Sequence, residues 1–318
     1  MRTRIFKIAA TALTGFYVLG LTGLSYGQGC SDAGFCTMGA MKPNQHFPRK
    51  VNARVFSVEA SQYAGYTKFH TVILTYFVDV NASLGSKTGL QLKLPYTLVF
   101  GALANTKGSG DISLSATRNL VNKENYQVNF TLGAKLPTNN ANIKTSGGRP
   151  LPMYYQTSLG TYDMVLGASL ISKKWLFAAG YQQAFNTNGN QFKWGAWSDS
   201  PDFGEAGTYP ISQHLRRGND IMFRVERNFR SARFNTYLGL LPIYRLNKDI
   251  ITSPQTGDRV KVPGSDGLTL NLLYGFGYRF STRSAFKFVA GVALIKRAIN
   301  PDGLSREVVN SISYELRF

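Results

Sequence analysis

The chain has 318 residues, with 36 Lys+Arg against 17 Asp+Glu and a formal net charge of +19. With 43% hydrophobic and only 17% charged residues, it is too apolar for a disordered chain and too sparsely charged for a bundle of long solvated helices. An aromatic content of 13% beside 32 glycines points to β-structure.

At the amino terminus, Arg2, Arg4 and Lys7 precede an apolar run over residues 8–24, and Ser25-Tyr26-Gly27 fits a small-x-small cleavage site. Residues 1–27 therefore read as a signal peptide. The rival is a lipoprotein acylated at Cys30, for which Gly27-Gln28-Gly29 is a poor context. Residues 28–50 are expected to form a periplasmic leader or plug, in which Cys30 and Cys36 are close enough for a small disulfide loop in an oxidising compartment. The three histidines, His46, His70 and His214, offer no Cys/His spacing for zinc, so neither a metal nor a cofactor is expected. After the signal, no stretch reaches the roughly 18 apolar residues of a membrane-crossing helix.

From residue 51 to 318 the sequence alternates with period two. Tyr126, Val128, Phe130, Leu132, Ala134 and Leu136 share one face, and Gln127, Asn129, Thr131, Gly133 and Lys135 the other. The same alternation assigns twelve strands at 51–64, 68–80, 88–99, 110–120, 125–137, 156–171, 174–186, 217–229, 233–246, 266–280, 285–297 and 306–318. These are longer than strands of soluble sheets and match the roughly 9–11 tilted residues that cross a bilayer. From the fourth strand on, tight turns alternate with long connections, as in outer-membrane barrels with short periplasmic turns and longer extracellular loops. The expected fold is an all-β, antiparallel up-and-down transmembrane barrel of about twelve strands. In residues 69–79 both faces carry apolar side chains, which leaves the register of the first two strands open.

Tyr126, Trp175, Phe229, Phe234, Phe280, Phe286 and Phe318 fall at the short-turn ends and are expected to form an aromatic girdle. The alternating 313–318 segment ends in Phe318, which resembles the signal read by the barrel-assembly machinery. Arg118 and Arg227, near periplasmic strand ends, and Arg306, at an extracellular start, fall on the expected lipid face where each reaches water. The polar faces place Lys93, Asp111, Lys135, Asp163, Arg224, Glu226, Arg279 and Lys287 in the lumen, with Asp220, Arg245, Glu307, Glu315 and Arg317. Nearly balanced charges there read either as a plug of ion pairs or as the lining of an aqueous path. Inward glycines such as Gly133, Gly167, Gly239 and Gly275 either leave space or relieve strand curvature.

The basic residues are scattered without a stripe, which disfavours nucleic acid and makes lipopolysaccharide phosphate the expected counter-charge. Arg216-Arg217 is the candidate anion contact, against a merely solvated loop pair.

Leu92-Lys93-Leu94-Pro95-Tyr96, Gly108-Ser109-Gly110-Asp111 and Leu136-Pro137-Thr138 resemble the spaced LPY, GxGD and LPT signatures of a family of bacterial outer-membrane barrels. That family is named for the meta-pathway of phenol degradation and is loosely similar to fatty-acid and aromatic-compound transporters. The leader over 28–36 looks like proteins of the Bacteroidetes. The resemblance implies that Gly110 and Asp111 begin a strand after an extracellular loop, and that Pro137-Thr138 leads into the next loop.

The function expected is an outer-membrane channel for small, hydrophobic or aromatic solutes, with outer-membrane lipid, lipopolysaccharide and the assembly machinery as partners. Two alternatives stand beside it. One is a sealed structural or surface-binding barrel; the other is a hydrolase with His70 or His214 near a serine.

Overall fold

The computed structural model describes residues 37–43 and 56–318. The signal-peptide reading, the Cys30–Cys36 loop and His46 lie outside the described residues. The strands are β1 Phe56–Tyr66, β2 Val72–Leu84, β3 Thr88–Phe100, β4 Asn105–Ser109, β5 Ile112–Asn122, β6 Tyr126–Leu136, β7 Asp163–Ser172, β8 Trp175–Ala184, β9 Asp220–Arg230, β10 Phe234–Arg245, β11 Ile250–Thr252, β12 Arg259–Lys261, β13 Gly267–Arg279, β14 Ser284–Ile295 and β15 Val308–Arg317. β4 and β5 both pair with β3 and form one broken strand, and β11–β12 is a hairpin outside the main sheet. Counted so, the described residues build a closed antiparallel barrel of twelve strands, with β1 joined to β15 as well as to β2.

Closure pairs each wall strand with a neighbour on both sides, except that the short β4 segment pairs with β3 alone, and so meets the condition for crossing a bilayer with strands. The outer face is a belt of large apolar side chains, among them Leu132, Phe177, Phe223, Leu238 and Ile312. Every residue of the expected periplasmic girdle points outward at that rim, where the Arg227 guanidinium stacks 5.0 Å from the Trp175 ring. Tyr66, Phe100, Tyr162, Phe185 and Tyr244 form a second exposed aromatic set at the opposite strand ends. A closed barrel belted in this way is an outer-membrane protein.

Three boundaries differ from the sequence reading. Residues 156–161, expected to open a strand, lie in a buried inward loop, and β7 begins only at Asp163. The fourth wall strand begins at Asn105, so Gly110 and Asp111 sit at its break rather than at its start. Arg306 precedes β15 and is 5% exposed, its Nη1 donating to the Ser305 carbonyl at 3.0 Å, so it turns inward rather than to lipid. In β2, Ile73, Thr75, Phe77 and Asp79 face inward, which explains why both faces of that strand look apolar.

Candidate functional site: the barrel lumen

The site is the barrel interior. At its extracellular end the long loops fold inward. Residues 151–161 are buried, and Phe69, Tyr154, Tyr155 and Tyr209 pack as a ring cluster with centroids 4.5–5.8 Å apart. The Tyr209 hydroxyl lies 3.0 Å from that of Tyr155 and 3.2 Å from Thr71 Oγ1, while Leu103 N–H donates to Tyr155 at 3.1 Å. Buried asparagines act as the loops' scaffold: Asn190 Nδ2 donates to the carbonyls of Ala141 and Leu151 at 2.8 and 3.1 Å.

The residues that carry the family resemblance converge where this lid meets the wall. Pro95 supplies no N–H, and its carbonyl instead accepts from Gly110 N at 2.9 Å, closing the break between β4 and β5. A Cβ on Gly110 would meet the Pro95 ring at 2.9 Å. Asp111 accepts from the Ser158 hydroxyl and, at 3.1 Å, from Leu159 N–H, while Thr138 Oγ1 donates to the Ser109 carbonyl at 2.8 Å. Their joint effect is to pin the inward loop.

Beside this anchor runs a buried charge chain. Arg217 Nη1 lies 3.1 Å from Asp163, so Arg217 is an internal partner and not an exposed anion contact; Arg216 is exposed. Arg245 reaches Asp220, Asp249 and Asp302 at 2.8, 2.9 and 2.8 Å, and Arg297 stands 3.6 Å from Asp302. Burial favours the neutral form of the Asp302 carboxyl, but the surrounding arginines outweigh it and hold that carboxyl far below the usual range. Sequence reasoning missed Asp249 and Asp302 because a loop aspartate gives no sign of being buried.

At the extracellular end of β6, Lys135 is 2% exposed and lies directly across the ladder from Asp163; the charges that follow belong to the middle and periplasmic half. Arg224 and Glu226, both buried, pair at 2.8 Å. Lys93 lies 4.4 Å from the Phe77 ring centre, and its Nζ donates to Thr37 Oγ1 at 2.9 Å. Lys287 on β14 bridges Glu59 on β1 and Glu315 on β15, 3.0 Å from each, although Glu59 and Glu315 are themselves paired across the β1–β15 ladder. Arg279 is exposed at the periplasmic end of β13, and Phe318 projects outward with its N–H on the Phe56 carbonyl at 2.9 Å. His70 meets the Tyr66 hydroxyl, and His214 Nδ1 stands 3.3 Å from Thr252 Oγ1, so the hydroxyls they contact are those of a tyrosine and a threonine.

Residues 37–43 lie inside this half of the barrel. Gly39 and Ala40 donate their N–H groups to Gln91 Oε1 at 2.7 Å and Thr131 Oγ1 at 3.1 Å. Met38 and Met41 join an apolar cluster with Val165, Leu176, Met222 and Tyr237. A Cβ on Gly133 would strike Met38, and one on Gly167 would strike Met41. These two glycines make room for a side chain; Gly275 makes room for the Tyr237 ring in the same way. Beside this segment runs a cavity of about 310 Å³, bounded by Lys42, Glu59, Tyr63, Asp79, Arg224 and Lys287 among others and reaching the periplasmic strand ends at Ser57, Asn81 and Arg317.

No family model and no curated protein matches the chain. Among solved structures, it is similar to the COG4313 outer membrane channel from Pseudomonas putida F1, with 14% sequence identity and a TM-score of 0.58 over 87% of this chain and 99% of that one. It also matches the NanC porin, with 9% identity and a TM-score of 0.42 over 83% and 98% of the two chains. The CymD monoaromatic hydrocarbon channel matches with 10% identity and a TM-score of 0.39 over 93% and 95%. The first likeness is one of fold: this chain is an outer-membrane β-barrel built as a known outer-membrane channel is built.

Proposed function

We propose that the protein is a gated outer-membrane channel for small solutes, closed in this conformation by its loops outside and by residues 37–43 inside. The observation that carries this reading is the 310 Å³ hollow that runs beside residues 37–43 to the periplasmic strand ends, lined by side chains of both charge signs. Rings of charged side chains around a water-filled lumen are the usual lining of an ion or solute path. Two features support aromatic or hydrophobic solutes as the transported class: the ring cluster of Phe69, Tyr154, Tyr155 and Tyr209 at the outer mouth, and the motif resemblance to the barrels named for phenol degradation. Lipopolysaccharide at the outer rim and an assembly machinery that reads Phe318 complete the proposal.

The experiment is ion conductance of the purified protein in planar bilayers, comparing the full chain with one lacking residues 28–50. Current in the full chain, or current gained on deletion, supports a channel and tells whether the leader is its closure. Silence in both overturns the reading in favour of a surface-binding barrel, which the deeply buried outer loops also suit. Loop-dependent ligand binding would then be the next measurement.

A further inference from the structure

Thr37-Met38-Gly39-Ala40-Met41-Lys42-Pro43 contains one charge, and the wall receives it. Lys42 Nζ lies 2.9 Å from Asp79 Oδ2 and 3.6 Å from Glu59 Oε2. The two carboxylates are differently provided for. Glu59 also pairs with Lys287 at 3.0 Å, whereas Asp79 accepts from the neutral amide of Gln91 at 2.9 Å and faces Lys93 across the ladder, whose Nζ donates to Thr37 Oγ1. Behind the ammonium the wall offers two hydrogen-bond acceptors, Gln91 Oε1 and Thr131 Oγ1, and two notches at Gly133 and Gly167 that hold thioether side chains. None of these contacts belongs to the barrel's own ladder, and the 310 Å³ cavity opens directly beside Lys42.

We propose that residues 37–43 are a displaceable tethered ligand, and that the lumen site they fill takes a free organic ammonium with a short apolar arm. The inference deepens the channel reading but rests on it only for its meaning, because binding at this site requires no flux. A group tethered near its site acts at an effective concentration of about millimolar, so a free amine competes poorly while Lys42 is present. Removing the ammonium leaves buried Asp79 with Lys93 across the ladder and without its 2.9 Å partner, a place that a free ammonium can take.

The test uses the full chain in detergent micelles, with heat-modifiable migration confirming that the barrel is folded. Butylammonium chloride is titrated by calorimetry into the native protein, Lys42→Ala and Lys42→Ala/Asp79→Asn, with tetramethylammonium, which has no N–H donor, as control. Lys42→Ala is expected to bind butylammonium at least tenfold more tightly than the native chain, the added Asp79→Asn to abolish the gain, and tetramethylammonium to bind weakly throughout. Hydrogen exchange over residues 37–43 of the native chain should rise as butylammonium is added. Equal affinity in native and Lys42→Ala protein, or a gain that survives Asp79→Asn, overturns the proposal. Should Lys42→Ala fail the folding check, Lys42→Met, which keeps the apolar stem, takes its place with the same expected and overturning results. Binding without conductance would refute the channel and leave the site; conductance without binding would do the reverse.

Discussion

Arg245 Nη2 lies 2.8 Å from Asp302 Oδ2, so a side chain at the extracellular end of β10 holds the loop that leads into β15. Arg245 also grips Asp220 on the neighbouring strand and Asp249 in the loop that follows β10, which makes the contact a joint between wall and lid. Asp302→Asn would leave Arg245 and Arg297 buried with less counter-charge, a change that costs about 3–5 kcal/mol when a buried pair is broken. The expected outcome is faster proteolysis of residues 296–307 and, in a bilayer, a higher open fraction than the native chain shows.

The same carboxyl sets an acid limit. Because its folded pKa is depressed, its stabilisation is present above the unfolded value of about 3.9 and is lost only as pH falls through the lower folded value. Protease resistance of the 296–307 loop in the native chain should therefore be unchanged between pH 7 and pH 4.5. Loss of resistance by pH 5 would contradict this account.

Lys296 sets a window at alkaline pH. Burial, aided by the charge of Lys68 and opposed by Glu307, lowers its pKa to about 8. Unfolded lysine keeps its proton to about pH 10.4, so between roughly pH 8 and 10.4 the unfolded chain binds more protons and this group's contribution to stability rises with pH. Reductive ¹³C-methylation followed by NMR should show one lysine titrating near 8, and Lys296→Met should remove that resonance.

Gly167→Ala tests the inner closure. Its methyl would overlap Met41, so the variant is expected to keep its heat-modifiable barrel while hydrogen exchange over 37–43 accelerates severalfold. Unchanged exchange would mean that Met41 is accommodated elsewhere.

Leu132, outward and half exposed near the middle of β6, tests the membrane belt. Leu132→Arg should destabilise the folded barrel by about 2–4 kcal/mol in urea titrations into liposomes, the depth-dependent cost of a mid-membrane arginine. Tyr209→Phe in the lid should cost less, about 1–2 kcal/mol, for its hydrogen bonds to Tyr155 and Thr71.

The wall was legible because lipid imposes one rule on every strand: the side chains of Tyr126–Leu136 and Gly267–Arg279 alternate since one face must be apolar. The rule weakens where the lumen is itself apolar, as at Ile73 and Phe77. It misleads where a loop enters the interior, as in residues 156–161, which are buried without pairing in the sheet. The lid's charges were opaque for another reason. Asp249, Asp302 and Arg217 look like solvated loop residues until the fold brings them within 4 Å of partners far along the chain. Gly167 and Met41 likewise reveal their relation only once the segment lies in the lumen.

The bridge made by Lys287 bears on how the cylinder is completed. Glu59 and Glu315 stand opposite each other on the first and last strands, and like charges so placed repel. The lysine that bridges them belongs to the penultimate strand, while Arg317 pairs with Glu315 along its own strand and Lys42 reaches Glu59 from the lumen. The seam between the first and last strands is thus tied by cations from three separate parts of the chain, so the repulsion between the two carboxylates is shared out and no single contact governs how the cylinder is sealed.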